Sequence, residues 1–478
     1  MNKPYCLLLP ALAVLLHTGC SHDLVTDKAN PAALAAWHHQ PDTQPLNDTA
    51  DLKKWWGGFQ DSLLNELISQ ALSSNQDLKI ANARIQEALA LVVIGESSLY
   101  PSIDLNATGG QEKSLNRIFA APGPQGMALI MPTGNAVSGG LNARWEIDLF
   151  GGRHFEADAA NAQFAGIEAE QHAIQVALLA QIAGNYLELR GVQARMELVR
   201  QQIALQQKRQ IALQLYFQQG LVNATAVSRQ HTQLRSNESA LPVLNQAAEQ
   251  LIHRLSVLLG QTPASLENRL SAAGMPPALP VLPNVLPTNL LSQRPDLKIA
   301  EAQVNAAADQ LGTAKANLYP RLVLQANAGF GAIAVGGFPN LADSVYSLGS
   351  GLTGPIFNAG RIRAQITAAD ARLEQAATTY EKTFLLAMED VENAYVSHDT
   401  AKQRLQQLSE AEQSADTAYR HAELLYQHGG SDYLSQLDAE FNKLNIQEEK
   451  TKAQTSLRVS YVSLYRAFGG GWEATEKD

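Results

Sequence analysis

One sulfur in this chain stands where a cell could modify it. Cys20 follows His17-Thr18-Gly19 and an apolar run from Cys6 to Leu16, too short to cross a bilayer as a helix. The pattern reads as a secretory signal over residues 1–19, with small residues before the cleavage point. A cysteine at that point offers its thiol for acylation, so Cys20 is expected to be the lipidated first residue of the mature chain. His17 holds the place where such a lipobox usually has leucine. The plainer alternative is cleavage nearby, with Cys20 an incidental thiol. The chain has 2 cysteines, and loss of Cys6 with the signal leaves no intramolecular disulfide.

Other reactive groups do not converge. His154, His172, His231, His253, His398, His421 and His428 are scattered without metal-ligand spacing. His38-His39 lies in a loose stretch. No phosphate loop or nucleophile elbow is present. The reading is therefore no enzyme, no metal and no cofactor. A net charge of −10 argues against nucleic acid, which needs a basic face. After the signal, no stretch reaches the ~18 consecutive apolar residues of a membrane helix.

The elements that would carry any function come twice. Asp77-Leu78-Lys79-Ile80-Ala81 and Leu99-Tyr100-Pro101 return as Asp296-Leu297-Lys298-Ile299-Ala300 and Leu318-Tyr319-Pro320. Phe217-Gln218-Gln219-Gly220 returns as Tyr426-Gln427-His428-Gly429, and Leu259-Gly260 as Phe468-Gly469. A long repeat is a statement about architecture. The chain divides into a signal (1–19), a lipidated extended segment (20–60) from whose end Trp55, Trp56 and Phe59 open the first ordered unit, and a first repeat (61–270). A Pro-rich linker (271–288), a second repeat (289–470) and a tail (471–478) follow.

Each repeat starts with a helix. Leu63, Leu67, Ala71, Leu78, Ala81, Ile85 and Ala88 recur at helical spacing, predicting one helix from Leu63 to Leu99, stopped by Pro101. Strands follow. Val137, Gly139, Leu141, Ala143, Trp145, Ile147 and Leu149 alternate with Ser138, Gly140, Asn142, Arg144, Glu146 and Asp148, and Ile103, Leu105 and Ala107 alternate with Asp104, Asn106 and Thr108. Residues 113–135 read as the loop between them. In the second repeat Leu322, Leu324, Ala326, Ala328 and Phe330 share a face, as do Tyr346, Leu348, Leu352 and Ile356, around a loop containing Gly336-Gly337-Phe338-Pro339. Proline-free stretches from Arg153 to Gln219 and from Ile362 to His428 each predict a helix of ~100 Å. Each returns as an antiparallel hairpin, from Thr225 to Leu259 with a break near Pro242, and from Tyr433 to Phe468.

The strands leave an apolar face with no protein element to cover it. A bilayer would cover it, and alternating strands of ~10 residues are the signature of an outer-membrane barrel. Open sheet edges are not tolerated in lipid. Two strands per repeat give four per chain, below the ~8 of the smallest barrels. Oligomerisation follows. Three chains would supply twelve strands, whereas two would give a barrel too narrow for an open channel. The fold class is thus a mixed α+β membrane protein built by internal duplication: a trimeric 12-stranded outer-membrane β-barrel, with four strands from each chain, and long coiled-coil helical hairpins.

With Cys20, the doubled Leu-Tyr-Pro turns, Leu290-Leu291-Ser292-Gln293-Arg294-Pro295-Asp296-Leu297 and Pro355-Ile356-Phe357-Asn358-Ala359-Gly360-Arg361, the chain resembles the TolC/OprM-type outer-membrane efflux factors in their lipoprotein (NodT-like) branch, over about residues 50–470. The resemblance implies a homotrimer seated in outer-membrane lipid, its β-barrel continued by a long α-helical coiled-coil barrel across the periplasm. It implies the exit duct of a tripartite pump, with a periplasmic adaptor (membrane fusion) protein and an inner-membrane transporter as partners. It implies that Gly220, Leu221, Val222, Thr225, Gly429, Gly430 and Ser431 form the turns that meet the adaptor; a plain hairpin turn is the alternative for any one of them. Family members narrow the closed duct with acidic residues, and Asp438 matches that position. Ser435 stands where some relatives have a second aspartate. Tyr426 matches a tyrosine that helps lock the closed tip. The alternatives are a solvated carboxylate for Asp438 and a coiled-coil core aromatic for Tyr426. For the whole chain, the alternative class is a lipid-anchored periplasmic coiled-coil scaffold or adaptor. Such a protein needs no outward band like Trp145, Phe330 and Tyr346.

Overall fold

The computed structural model describes residues 50–112, 134–271, 274, 277–280, 294–335 and 338–472. The signal, Cys20 and the stretch 20–49 lie outside them, as do most of the 113–135 loop and much of the linker. The chain forms two compact units. Each draws on both repeats: Glu87–Ala165 with Glu301–Tyr380 in one, and Pro31–Gln86, Gly166–Ala300 and Glu381–Asp478 in the other.

The elements, in order, are α1 (Ala50–Lys53), a 3-10 turn (Trp55–Phe59), α2 (Ser62–Ser74), α3 (Gln76–Ser97), β1 (Ser102–Glu112) and β2 (Gly134–Ile147). The first hairpin follows as α4 (Gly152–Gln218), α5 (Ala224–Glu238) and α6 (Ala240–Leu258), then α7 (Glu267–Leu270). The second repeat comprises α8 (Pro295–Ala316), β3 (Arg321–Val335), β4 (Phe338–Thr353), α9 (Arg361–Gln427) and α10 (Tyr433–Ala467). Both outgoing helices are 67 residues long.

Several expectations change in detail. The segment expected to be extended up to residue 60 is helical from Ala50, because Leu52, Trp55 and Phe59 are buried and Trp55 stacks on Tyr465 at 5.0 Å. The single helix Leu63–Leu99 is two helices. Asn75 leaves the helical region (φ −60°, ψ 136°), its Oδ1 accepts from the Leu78 N–H at 3.1 Å, and its Nδ2 donates to the Leu258 carbonyl at 2.8 Å. Asparagine is a strong N-cap, and here it serves both helices. The first return helix breaks at Ser239, three positions before Pro242, since Pro242 has no N–H for the preceding turn and its ring crowds that turn's carbonyl. Phe338 and Pro339 belong to β4 rather than to a loop. Ile356 lies beyond the end of β4 and shares no strand face.

The larger unit has one main core, in which Leu64, Leu67, Leu179, Ile182, Tyr186, Leu189, Leu255, Val391, Leu464 and Phe468 are buried together. A buried arginine pins its second repeat. Arg294 meets Asp296 through Nε at 3.0 Å and Nη2 at 2.6 Å, Asp390 at 3.1 Å and the Ala467 carbonyl at 2.7 Å. Burial opposes its charge, but the two aspartates outweigh that and its pKa is raised. Cross-helix ion pairs tie α9 to α10: Glu412 with Lys450 and Asp416 with Lys443, both at 2.6 Å.

The smaller unit is organised around one antiparallel sheet in the order β1-β2-β3-β4. The β2–β3 pairing joins the two repeats edge to edge, leaving β1 and β4 as the sheet's edges. Registers run Leu105↔Leu141, Leu141↔Ala328 and Ala328↔Tyr346, so the apolar positions of all four strands fall on one face.

Candidate functional site

The sheet presents two chemically different faces. Ile103, Leu105, Leu141, Ala143, Trp145, Leu324, Ala326, Tyr346 and Leu348 share one, in register. Leu105 is 79 % exposed, and Tyr346 and Leu348 are 86 % exposed. The other face is polar and laced across the strands. Thr108 and Ser138 hydroxyls are 2.6 Å apart, Asn142 donates to Asn106 at 2.7 Å, and Asn327 donates to Ser347 at 3.1 Å. Where β2 meets α4, Glu146 accepts from Arg153 at 2.8 Å, with the Arg321 guanidinium 3.9 Å away. Asp148 caps α4, accepting from the Arg153 and His154 backbone N–H groups at 3.0 and 2.9 Å. Glu146 and Glu156 raise the Arg153 pKa against the opposing effect of burial. The period-2 pattern alone assigns these faces, because any one-residue slip would reverse them.

The helix-end turns in the larger unit have one design, used twice. After α4, Gly220 takes φ +72°, its N–H donates to the Phe217 carbonyl at 3.0 Å, and the Leu221 N–H donates to the Tyr216 carbonyl at 2.8 Å. After α9, Gly429 takes φ +73°, with Gly429 N–H to Tyr426 at 3.1 Å and Gly430 N–H to Leu425 at 2.7 Å. Both are Schellman closures, in which a left-handed residue satisfies the last carbonyls. The chain re-enters helix through a short polar cap each time. Asn223 accepts from the Ala226 N–H at 3.0 Å and Asp432 from the Ser435 N–H at 2.8 Å. The Ser435 hydroxyl, and then that backbone bond, hold the Asp432 pKa below its ordinary value. Gly220, Leu221, Thr225, Gly429 and Gly430 are exposed; Val222 and Ser431 are half-buried.

Asp438 and Tyr426 have different partners. Tyr426 tilts against Tyr433 with ring centroids 5.2 Å apart. Asp438 lies further along α10 and forms an ion pair with Arg209 of α4. Arg209 is three-quarters buried and Asp438 half-exposed. Burial lowers the Arg209 pKa while Asp432 opposes that, so Arg209 faces two carboxylates. Beside this pair Leu205, Leu437 and Leu444 pack against Tyr433, Leu434 and Phe441. Arg209 is the residue that motif reading passes over. Its only sequence signal is a basic side chain opposite an acidic one after the hairpins are folded together.

A duplicated chain with this sheet and paired helical hairpins defines a class, and comparison with known proteins identifies it: the chain belongs to the outer membrane efflux protein family, whose model matches residues 67–261 and 286–470. It is an outer-membrane efflux channel protein. It is 29 % identical over 467 residues to the pyoverdine export outer membrane protein OpmQ of Pseudomonas aeruginosa, covering 97 % of this chain and 96 % of that one. It is 28 % identical over 483 residues to the solvent efflux pump outer membrane protein SrpC of Pseudomonas putida, covering 98 % and 99 %. Among solved structures it superposes on the outer-membrane channel OprN with a TM-score of 0.81 at 30 % identity, over 92 % of this chain and 97 % of that one.

Proposed function

We propose that three copies of this chain close a twelve-stranded barrel in the outer membrane and that the trimer is the exit duct of a tripartite efflux pump. One observation carries the reading: an open four-stranded sheet whose apolar face carries the exposed Leu105, Leu141, Trp145, Phe330, Tyr346 and Leu348 and whose β1 and β4 edges have no strand partner among the described residues. Lipid tolerates an apolar face but no open edge. Pairing β4 of one copy with β1 of the next removes every edge, and four strands per copy reach a conducting width at three copies. The polar face then lines water.

The family resemblance supplies the remaining parts of the proposal. The turns at Gly220–Thr225 and Gly429–Ser431 meet a periplasmic adaptor, which links the duct to an inner-membrane transporter. Asp438 and Tyr426 narrow the closed end. Cys20 carries lipid. The relatives are named for export of pyoverdine and for efflux of solvents. Cargo so different supports a duct for small molecules whose selection occurs elsewhere in the pump.

Paired cysteines test the closure. Leu105→Cys on β1 is combined in turn with Tyr346→Cys, Leu348→Cys and Ser350→Cys on β4, and membranes are oxidised. One pairing should give a covalent ring of three chains. Dimers alone, or no cross-link from any pairing in protein that reaches the outer membrane, would reject it.

A further inference from the structure

We propose, resting on the three-copy reading above, that helix α3 of one copy packs on helix α9 of the next, with Val93 against Ala364. The duplication supplies the pattern, because the same kind of contact already exists inside one chain. Helix α8 (295–316) lies 219 positions after α3 (76–97) at both ends. Helix α9 (361–427) lies 209 positions after α4 (152–218) at both ends. Each long helix also starts beside a left-handed glycine, Gly151 at φ +76° and Gly360 at φ +84°. So α8 is the second copy of α3, and α9 the second copy of α4.

Within the smaller unit α8 packs on α4. The Phe155 ring covers Gly312 so closely that a Cβ there would come within 2.7 Å of it, and a Cβ on Gly152 would stand 3.1 Å from that of Ala316. Thr313 and Ala316 line a small cavity with Arg153 and Glu156. On α3 the same face is bare. Val93, the counterpart of Gly312, is 60 % exposed, and Ile94, the counterpart of Thr313, is 65 % exposed. On α9, Ala364 takes the place of Phe155, and both it and Ala368 one turn on are exposed. Each chain thus carries a face of the α8 kind beside β1 and a face of the α4 kind beside β4. Lipid does not suit them, since Glu87 and Glu96 on α3 and Arg363 and Asp370 on α9 are also exposed. The two faces are different surfaces, so their contact runs head to tail and can close a ring, in the same direction as β4-to-β1 pairing.

The sizes fit, with the bulk on opposite sides. Inside the chain the large residue is Phe155 on α4 and the small one Gly312 on α8. Between copies the larger is Val93 on α3 and the smaller Ala364 on α9. Either pair fills a close helix crossing. Crossed pairs do not: Val93 against Phe155 overfills it, and Gly312 against Ala364 leaves a void. The exchange distinguishes the internal junction from the external one.

The full chain carrying Val93→Cys and Ala364→Cys, oxidised in outer membranes, should give covalent dimers and trimers. Val93→Cys with Glu374→Cys, ten residues and about 15 Å further along α9, should give none. Ala364→Phe, which puts bulk on both sides, should lower the temperature at which the oligomer comes apart. Adding Val93→Gly, which transplants the internal pair, should raise it again. Native mass spectrometry counts the copies independently of any disulfide. Three copies with no Val93–Ala364 cross-link, a harmless Ala364→Phe, or no rescue by Val93→Gly would overturn the contact and leave the barrel reading standing. Single copies alone would overturn both.

Discussion

Asp438 is held by Arg209, and that pairing changes what a mutation at either position should do. If Asp438 stands at the closed end of the duct, its charge is half-spent while the ion pair is made. A partly exposed pair contributes about 0.2–1 kcal/mol, so losing it should raise open probability by up to about fivefold. Arg209→Ser should therefore conduct more and prefer cations more strongly. Asp438→Ala should weaken cation preference, and Asp438→Lys should reverse it. Planar-bilayer recordings of the purified oligomer measure all three, and unchanged selectivity throughout would remove Asp438 from the gate. At the other end of the chain, mass spectrometry of the mature N-terminus should find an acylated Cys20; an unmodified N-terminus at another residue would end the anchoring proposal. Glycines at the turns were legible from the sequence because each acts on its own few neighbours. Arg209 and Arg294 were not, because each owes its role to groups brought near only by folding.

Helices and strands were legible where one physical period dominates. Unbroken Ala, Gln, Glu and Leu announce the two long helices, and strict alternation assigns the strand faces. The break at Asn75 was missed because apolar spacing continues through it, and only the cap and the Leu258 carbonyl reveal it. The helix pair α9–α10 carries a pH dependence. His398 is buried, 3.1 Å from the Ser460 hydroxyl and edge-on to Tyr461. Burial and then Lys402 lower its pKa from 6.5, against Asp399. His172, stacked on Trp472 at 4.3 Å, is lowered by burial and Lys298. A histidine that resists protonation when folded binds more protons unfolded. Its stabilising contribution is full above pH 6.5 and is lost as pH falls through the folded pKa. Heat-denaturation midpoints should drop below pH 6.5, and the His398→Asn variant should show a shallower drop. A midpoint that rises on acidification, or an identical slope in the variant, would contradict this.

At the scale of the whole molecule, duplication does the work that length alone cannot. One repeat would provide two strands and a single hairpin. Two repeats joined at β2–β3 provide a sheet with one apolar face and two edges, which the proposed trimer would close. The sequence pattern reached this far because parity and repetition are global properties of the chain. It stopped at the β2–β3 pairing between repeats, because the first helical hairpin and the next helix lie between those strands and no short turn sets their register. The claim that this sheet is a wall between lipid and water is tested most directly by labelling single cysteines with a membrane-impermeant thiol reagent in the reconstituted protein. Asn106, Asn142, Gln325 and Asn327 replaced by cysteine should react, and Leu105, Leu141, Leu324 and Tyr346 replaced by cysteine should stay silent. Reaction of the second set with silence of the first, or equal reaction of both, would contradict the account.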